Sequence, residues 1–189
     1  MDTPYDGSLK GQFLIAMPAL QDPNFFQSVV CISEHTADGA LGLVVNRAHS
    51  ILTSEAIFDE LSMDYAEEVG AIPIHLGGPV HLSEIFILHG PPIDDETSFL
   101  ITPGLALSNT REVLQRIAWN KGPDSFIISL GCSGWGPGQL EKEIKENAWL
   151  TSEISEEVLF RLPLEKRWEA ALKKMGINPA LLADDAGHA

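Results

Sequence analysis

The chain has 189 residues, 44% apolar and 21% charged, with 12 Lys and Arg against 27 Asp and Glu, a formal net charge of −15. That length and balance fit a globular chain with a self-sufficient core. The acidity and the lack of any basic run argue against direct binding to nucleic acid or to an anionic membrane surface. Only Cys31 and Cys132 are present, which is no disulfide framework.

Residues 1–10 read as a flexible N-terminal arm, and 11–189 as a single domain. The arm is acidic and polar, with no signal-peptide pattern, and no apolar run is long enough to span a bilayer, so a soluble cytoplasmic protein is expected. "GQFLIAMP", Gly11 to Pro18, reads as a buried strand. "ALQDPNFFQS" follows as a loop, and Ser28–His35 and Ala40–Asn46 read as a hairpin across "TADG". "LTSEAIFDELSM" has helical spacing, with Ser54 as N-cap. "IHLGGPV" is a strand interrupted by Gly77 and Gly78. Ser83–Gly90 is a further strand, "PPIDDETS" an acidic loop, and "FLITPGLALS" a strand broken at Pro103-Gly104. Asn109 and Glu112 look like a capping box for the helix "NTREVLQRIAW". "PDSFIISLG" is a strand ending at Gly131. "QLEKEIKENAW" is an amphipathic helix with pairs Glu141–Lys145 and Lys142–Glu146, and Trp168, Ala171, Leu172 and Met175 form a last helical stripe that Gly176 ends. Paired strands followed by single helices give an α+β class.

The segment "GCSGWGPGQLEKEIKENAWL", Gly131 to Leu150, is the one that most resembles an active site. A phosphate loop fails because Pro137-Gly138 stand where Lys and a hydroxyl residue are needed. A nucleophile elbow fails because Gly134 follows Ser133 directly. Glu141 and Glu143 answer the dipole at the helix start. Cys132 has no basic residue close before or after it in the loop to lower its pKa, so it reads as a buried structural thiol. His75, His81 and His89 match no metal-ligand spacing, His35 ends a strand beside a turn, and no metal or cofactor is expected. If the two glycine-rich segments converge, Gly77, Gly78, Trp135, Gly136 and Gln139 are the candidate ligand-binding residues. No catalytic residue is assigned.

"GQFLIAMPALQDPNFFQSVV", "SEHTADGALGLVVNR", "LGGPV", "GWGPGQLEKEIKENAWL" and "LFRLPLEKRWEAA" occur in order. Together they resemble the YqgE/AlgH family of bacterial proteins, over nearly the whole chain from Gly11. The resemblance implies a mostly antiparallel, bifurcated β-sheet with a small closed barrel, surrounded by helices. It also implies the family's label of transcriptional regulator, without a catalytic set to carry over. Family members often have an aromatic residue where this chain has Cys132, so a thiol reaction there is not shared chemistry. The expected function is a non-enzymatic regulatory or protein-interaction role with a protein partner, not direct DNA binding. The alternative is a small-ligand-binding protein or enzyme with a glycine-rich pocket.

Overall fold

The computed structural model describes residues 7–184. Residues 1–6 of the expected N-terminal arm lie outside the described residues. The class is α+β, with ten strands and five α-helices among those residues. Two compact units are present, one made of the chain up to Arg47 and from Ser133 onward, the other of Ala48–Cys132.

The first unit is built on β1 (Gln12–Ala16), β2 (Val29–Thr36), β3 (Gly39–Val44) and the closing strand β10 (Trp149–Glu153). All pair antiparallel, in the order β10-β1-β2-β3, and the last residues of β9 (Phe126–Trp135) add to β3 through Ala40↔Trp135, Leu41↔Gly134 and Gly42↔Ser133. The near-continuous apolar runs of β1 and β2 are explained by burial: Leu14, Ile15, Val29, Val30 and Ile32 are all inaccessible to solvent. Helices α3 (Gln139–Lys145), α4 (Leu164–Lys174) and α5 (Pro179–Asp184) complete this unit, with a π-helical turn at Glu157–Arg161. Trp168 and Leu172 carry the buried stripe of α4, and the Trp168 indole donates to the Ala16 carbonyl. Gly176 ends α4 as its sequence position predicts. With φ +75 it allows Gly176 N–H and Ile177 N–H to fold back on the carbonyls of Lys173 and Leu172, a Schellman ending.

Arginines organise the loops of this unit. Arg47 donates to the carbonyls of Pro23 (2.7 Å), Asn24 (2.9 Å) and Phe26, while the neighbouring Asn46 accepts from Val29 N–H and donates to the Gln27 carbonyl. Asn46 and Arg47 therefore hold the second half of the β1–β2 connection, from Pro23 to Val29. Arg167 is buried and donates to the carbonyls of Leu162 and Val45, and its burial lowers its pKa below the ordinary arginine value.

In the second unit, β4 (Ala48–Thr53) pairs with β5 (Pro73–Leu76). β5 runs parallel to β9 on one side, and β6 (Val80–His89) runs antiparallel to it on the other. β6 continues to β8 (Leu105–Ser108), and β8 to β7 (Phe99–Thr102). Helices α1 (Ser54–Glu60) and α2 (Arg111–Ala118) bury Ile57, Phe58, Val113, Leu114 and Ile117 against Ile74, Ile87 and Ile128. The helical spacing read in α2 follows from this core, whereas β6 is exposed in its first half and buried continuously from Phe86 to His89.

Five expectations are corrected here. The expected barrel is not closed: among the described strands β10, β4 and β7 each pair on one side only, so no ring forms. Thr53 rather than Ser54 caps α1; Ser54 is fully buried inside the helix, where its hydroxyl donates to the Val69 carbonyl and accepts from Ile72 N–H. Thr110 rather than Asn109 caps α2, with Oγ1 accepting from Val113 N–H. β9 runs past Gly131 to Trp135, since the cross-strand pairs to β3 hold it extended. The helix read to Trp149 stops at Lys145; Asn147 takes φ +58 and Trp149 opens β10 instead. β10 and β4 were the strands not anticipated.

Candidate functional site

The motif Trp135–Trp149 is held together from within. Glu143 on α3 projects a half-buried carboxylate between two buried indoles. Its Oε2 accepts from Trp135 Nε1 at 3.0 Å and from Trp149 Nε1 at 2.8 Å. Its Oε1 accepts from Gln139 Nε2 at 2.9 Å, and Gln139 Oε1 accepts from Gly136 N–H at 3.0 Å. Buried indole N–H groups need such acceptors. Phe25, from the loop that Arg47 fixes, closes the cluster: its ring lies 6.0 Å from Trp135, stacked, and 5.4 Å from Trp149, edge-on. The two tryptophans meet edge-to-face at 6.1 Å.

Of the candidate ligand residues, Trp135, Gly136 and Gln139 thus come together in one unit, satisfied by one another and by Glu143. No side chain caps α3 at Gly138: Gln139 bonds Gly136 ahead of the helix, and Glu143, expected to answer the dipole, turns its carboxylate to the indoles instead. Glu141 turns elsewhere, to the buried His35, whose Nε2 lies 3.1 Å from Glu141 Oε1 and whose Nδ1 accepts from Leu9 N–H. Lys142 and Glu146 stand 3.8 Å apart as the four-residue spacing predicts.

Gly77 and Gly78 belong to the other unit. There Gly77 N–H donates to the Leu130 carbonyl, and Gly78, at φ +147, lays its carbonyl against Gly131. A Cβ on Gly131 would stand 2.7 Å from Gly78 O and 3.0 Å from Val80 O. The glycines here serve a backbone-to-backbone approach across the β6–β9 irregularity, the close-packing use of strand glycine. Residues 81–84 are looped out of that pairing, which resumes at Ile85↔Leu130. His81, at φ +51, is tied to Glu84 at 2.9 Å.

Both thiols are buried structural groups. Desolvation pushes Cys31 up to about 12 and, with the charge of Glu84 adding to it, Cys132 up to about 11. A thiol that keeps its proton in the folded chain but loses it near 8.5 when unfolded stabilises the fold fully below that pH. The contribution is lost as pH rises through that value toward the folded pKa. The expected result is negligible reaction of native protein with a disulfide exchange reagent at pH 8, two thiols per chain after unfolding, and a denaturation midpoint that falls steadily above about pH 9. Rapid native labelling of either cysteine contradicts the burial argument.

Sequence reasoning missed a polar cluster in the second unit. His89, buried at the end of β6, donates from Nδ1 to the Gly90 carbonyl at 2.8 Å. Its Nε2 faces Ser108 Oγ at 3.0 Å and Ser98 Oγ at 3.2 Å, and Ser108 Oγ donates to Ser98 Oγ at 2.8 Å. These residues sit far apart in sequence and match no motif; the register of β6, β8 and β7 alone assembles them. Among the described residues, no group of three or more His, Cys, Asp and Glu is arranged to hold a metal ion. No helix among them is long and apolar enough to cross a membrane.

Comparison with known proteins places this arrangement in a family. The AlgH-like family model matches residues 13–180. A UPF0301 protein of Desulforapulum autotrophicum is 48% identical over 97% of each chain, and one of Thioalkalivibrio sulfidiphilus is 42% identical over 94% of this chain and 95% of its own. The solution structure of the AlgH protein from Pseudomonas aeruginosa superposes with a TM-score of 0.78 at 40% identity, covering both chains completely. Protein DIP2367 of Corynebacterium diphtheriae shares the fold, with a TM-score of 0.74 at 16% identity. With the family model matching residues 13–180, most of its length, the chain belongs to the AlgH-like family.

Proposed function

We propose that this protein acts in regulation through protein contacts and not by binding DNA directly. The observation that supports this reading is an exposed apolar set on the second unit. Ile51 is 92% exposed on β4 and Leu82 65% exposed on the looped-out segment of β6, with Val80 and Leu76 also exposed. Large apolar side chains left in water, Leu82 on a bulge tied by His81–Glu84 and Ile51 on β4, suit recognition by a partner surface. The net charge of −15 disfavours phosphate backbones as that partner.

The test is quantitative pulldown from native lysate with the wild-type chain and with Leu82→Asp plus Ile51→Asp. A partner recovered in proportion to the bait and lost with the variant supports the reading. Absence of any partner that distinguishes the two proteins, under conditions that preserve weak complexes, counts against it. A gel shift at low salt is expected to show no retardation of DNA; retardation there would restore the direct mechanism.

A further inference from the structure

The cluster around His89 has the arrangement of a base and a nucleophile. The Gly90 carbonyl only accepts, so the imidazole proton must sit on Nδ1, and Nε2 presents a lone pair to the two serines. Both hydroxyls lie within reach of Nε2, Ser108 at 3.0 Å and Ser98 at 3.2 Å, but Ser108 is buried. When Ser108 donates to Ser98 Oγ, the Ser98 proton turns to Nε2, which leaves the accessible hydroxyl as the one to be activated. Ser98 is half-buried and borders a cavity of about 10 Å³, shared with His89, Pro92, Asp94 and Arg116. Burial and the nearby Arg116 charge lower the His89 pKa despite the Gly90 hydrogen bond, so the imidazole is neutral at pH 7 and able to accept a proton.

We propose that Ser98 is a nucleophile activated by His89, accepting the acyl group of a small ester whose anionic end lies against Arg116. The cavity holds about one water. It therefore takes the carbonyl oxygen or the hydrolytic water, while the rest of the ester stays outside over the accessible side of Ser98. In the first step Ser98 Oγ bonds the acyl carbon and its proton passes to His89 Nε2. The ester C–O bond then breaks, and the departing alcohol takes that proton. Water next attacks the acyl-serine, giving its proton to Nε2. Ser98 Oγ leaves with that proton, and the carboxylic acid is released. The Gly90 carbonyl fills the orienting place on Nδ1 that a carboxylate holds in a Ser-His-Asp triad.

The experiment uses the full chain, a fluorophosphonate probe and two substrates, 4-nitrophenyl acetate and the anionic 4-nitrophenyl hemisuccinate. Expected are one fluorophosphonate adduct per chain mapped to Ser98 in native but not urea-unfolded protein, and faster turnover of the hemisuccinate. Ser98→Ala abolishes the adduct. His89→Gln slows labelling by about 100-fold or more, the usual scale of a general base. Arg116 is exposed, so Arg116→Ala is expected to keep the fold by thermal melting and lose only the preference for the anionic ester. The labelling rate rises with pH through a pKa below that of free histidine and then levels off, a profile that a purely structural His89 does not produce. No adduct on Ser98, an equal rate in native and unfolded protein, or a rate unmoved in folded His89→Gln overturns the proposal. Leu82→Asp leaves labelling unchanged, so this test and that of the interaction surface fail separately.

Discussion

Gly39→Ala is expected to destabilise the protein by about 3 kcal/mol or more, the scale of a side chain forced into a forbidden backbone conformation with a clash. Gly39 opens β3 at φ +134, a conformation that L side chains rarely adopt. A Cβ built there stands 2.2 Å from the Trp135 carbonyl oxygen and 3.3 Å from the Gly136 carbonyl carbon. That oxygen is backbone, held in place because Ala40 pairs with Trp135 across β3 and β9. The neighbour has no flexible end to swing away, so the strand pairing must open. The expected fall in Tm is about 6–12 °C for a chain of this size. Gly7→Ala is the contrasting control. Its φ is also positive, but no atom lies within 4 Å of the built Cβ, so it should show conformational strain of only about 1 kcal/mol. Equal Tm for Gly39→Ala and wild type by differential scanning calorimetry would remove the steric argument.

Glu143→Ala is expected to cost about 2–5 kcal/mol. One carboxylate oxygen accepts from both indoles, so its removal strands two buried N–H donors at about 1–3 kcal/mol each. Glu143→Gln should cost less, on the order of 1 kcal/mol, because an amide oxygen still accepts from both indoles. Its NH₂ group then meets the Gln139 amide, which is already turned so that its oxygen accepts from Gly136 N–H. Tryptophan emission and near-ultraviolet dichroism follow this order, since Trp135 and Trp149 lie in edge-to-face contact. If Ala and Gln variants melt alike and with native spectra, Glu143 does not hold the cluster. A double-mutant cycle with Gln139→Ala then separates the two halves of the network, whose members are close enough to couple.

The β2–β3 hairpin, α2 and α4 were legible because their information is local. Thr36 and Gly39 supply a turn, Val113, Leu114 and Ile117 supply a helical stripe, and Gly176 supplies a C-cap. β10 was not legible. Its Trp149 continues the helical spacing of α3, and only its pairing with Ala16 of β1 and its contact with Phe25 make it a strand residue. β9 reads as ending at Gly131 because a glycine after an apolar run looks like an end in sequence, and in the structure that glycine takes φ +72 within the strand. The backbones of Gly78 and Val80 pack against it there, and β3 continues to hold the strand beyond.

The family and its signature segments were readable by themselves, and so was the failure of Gly131–Leu150 to match a phosphate loop or a nucleophile elbow, because those templates are spacings and spacings are written in the chain. The roles of the signature residues were not. Arg47 has no neighbour in sequence that explains it, yet it gathers three carbonyls of a loop some 20 positions earlier. Glu143 reads as a helix-dipole residue and is the shared acceptor of two indoles. His89, Ser98 and Ser108 meet because antiparallel register sets Ile87 opposite Ser108 and Phe99 opposite Leu107. A side chain's local preferences are set by its own neighbours in the chain, whereas its hydrogen-bond partner is set by which strands pair and in what register, and that only the folded chain decides.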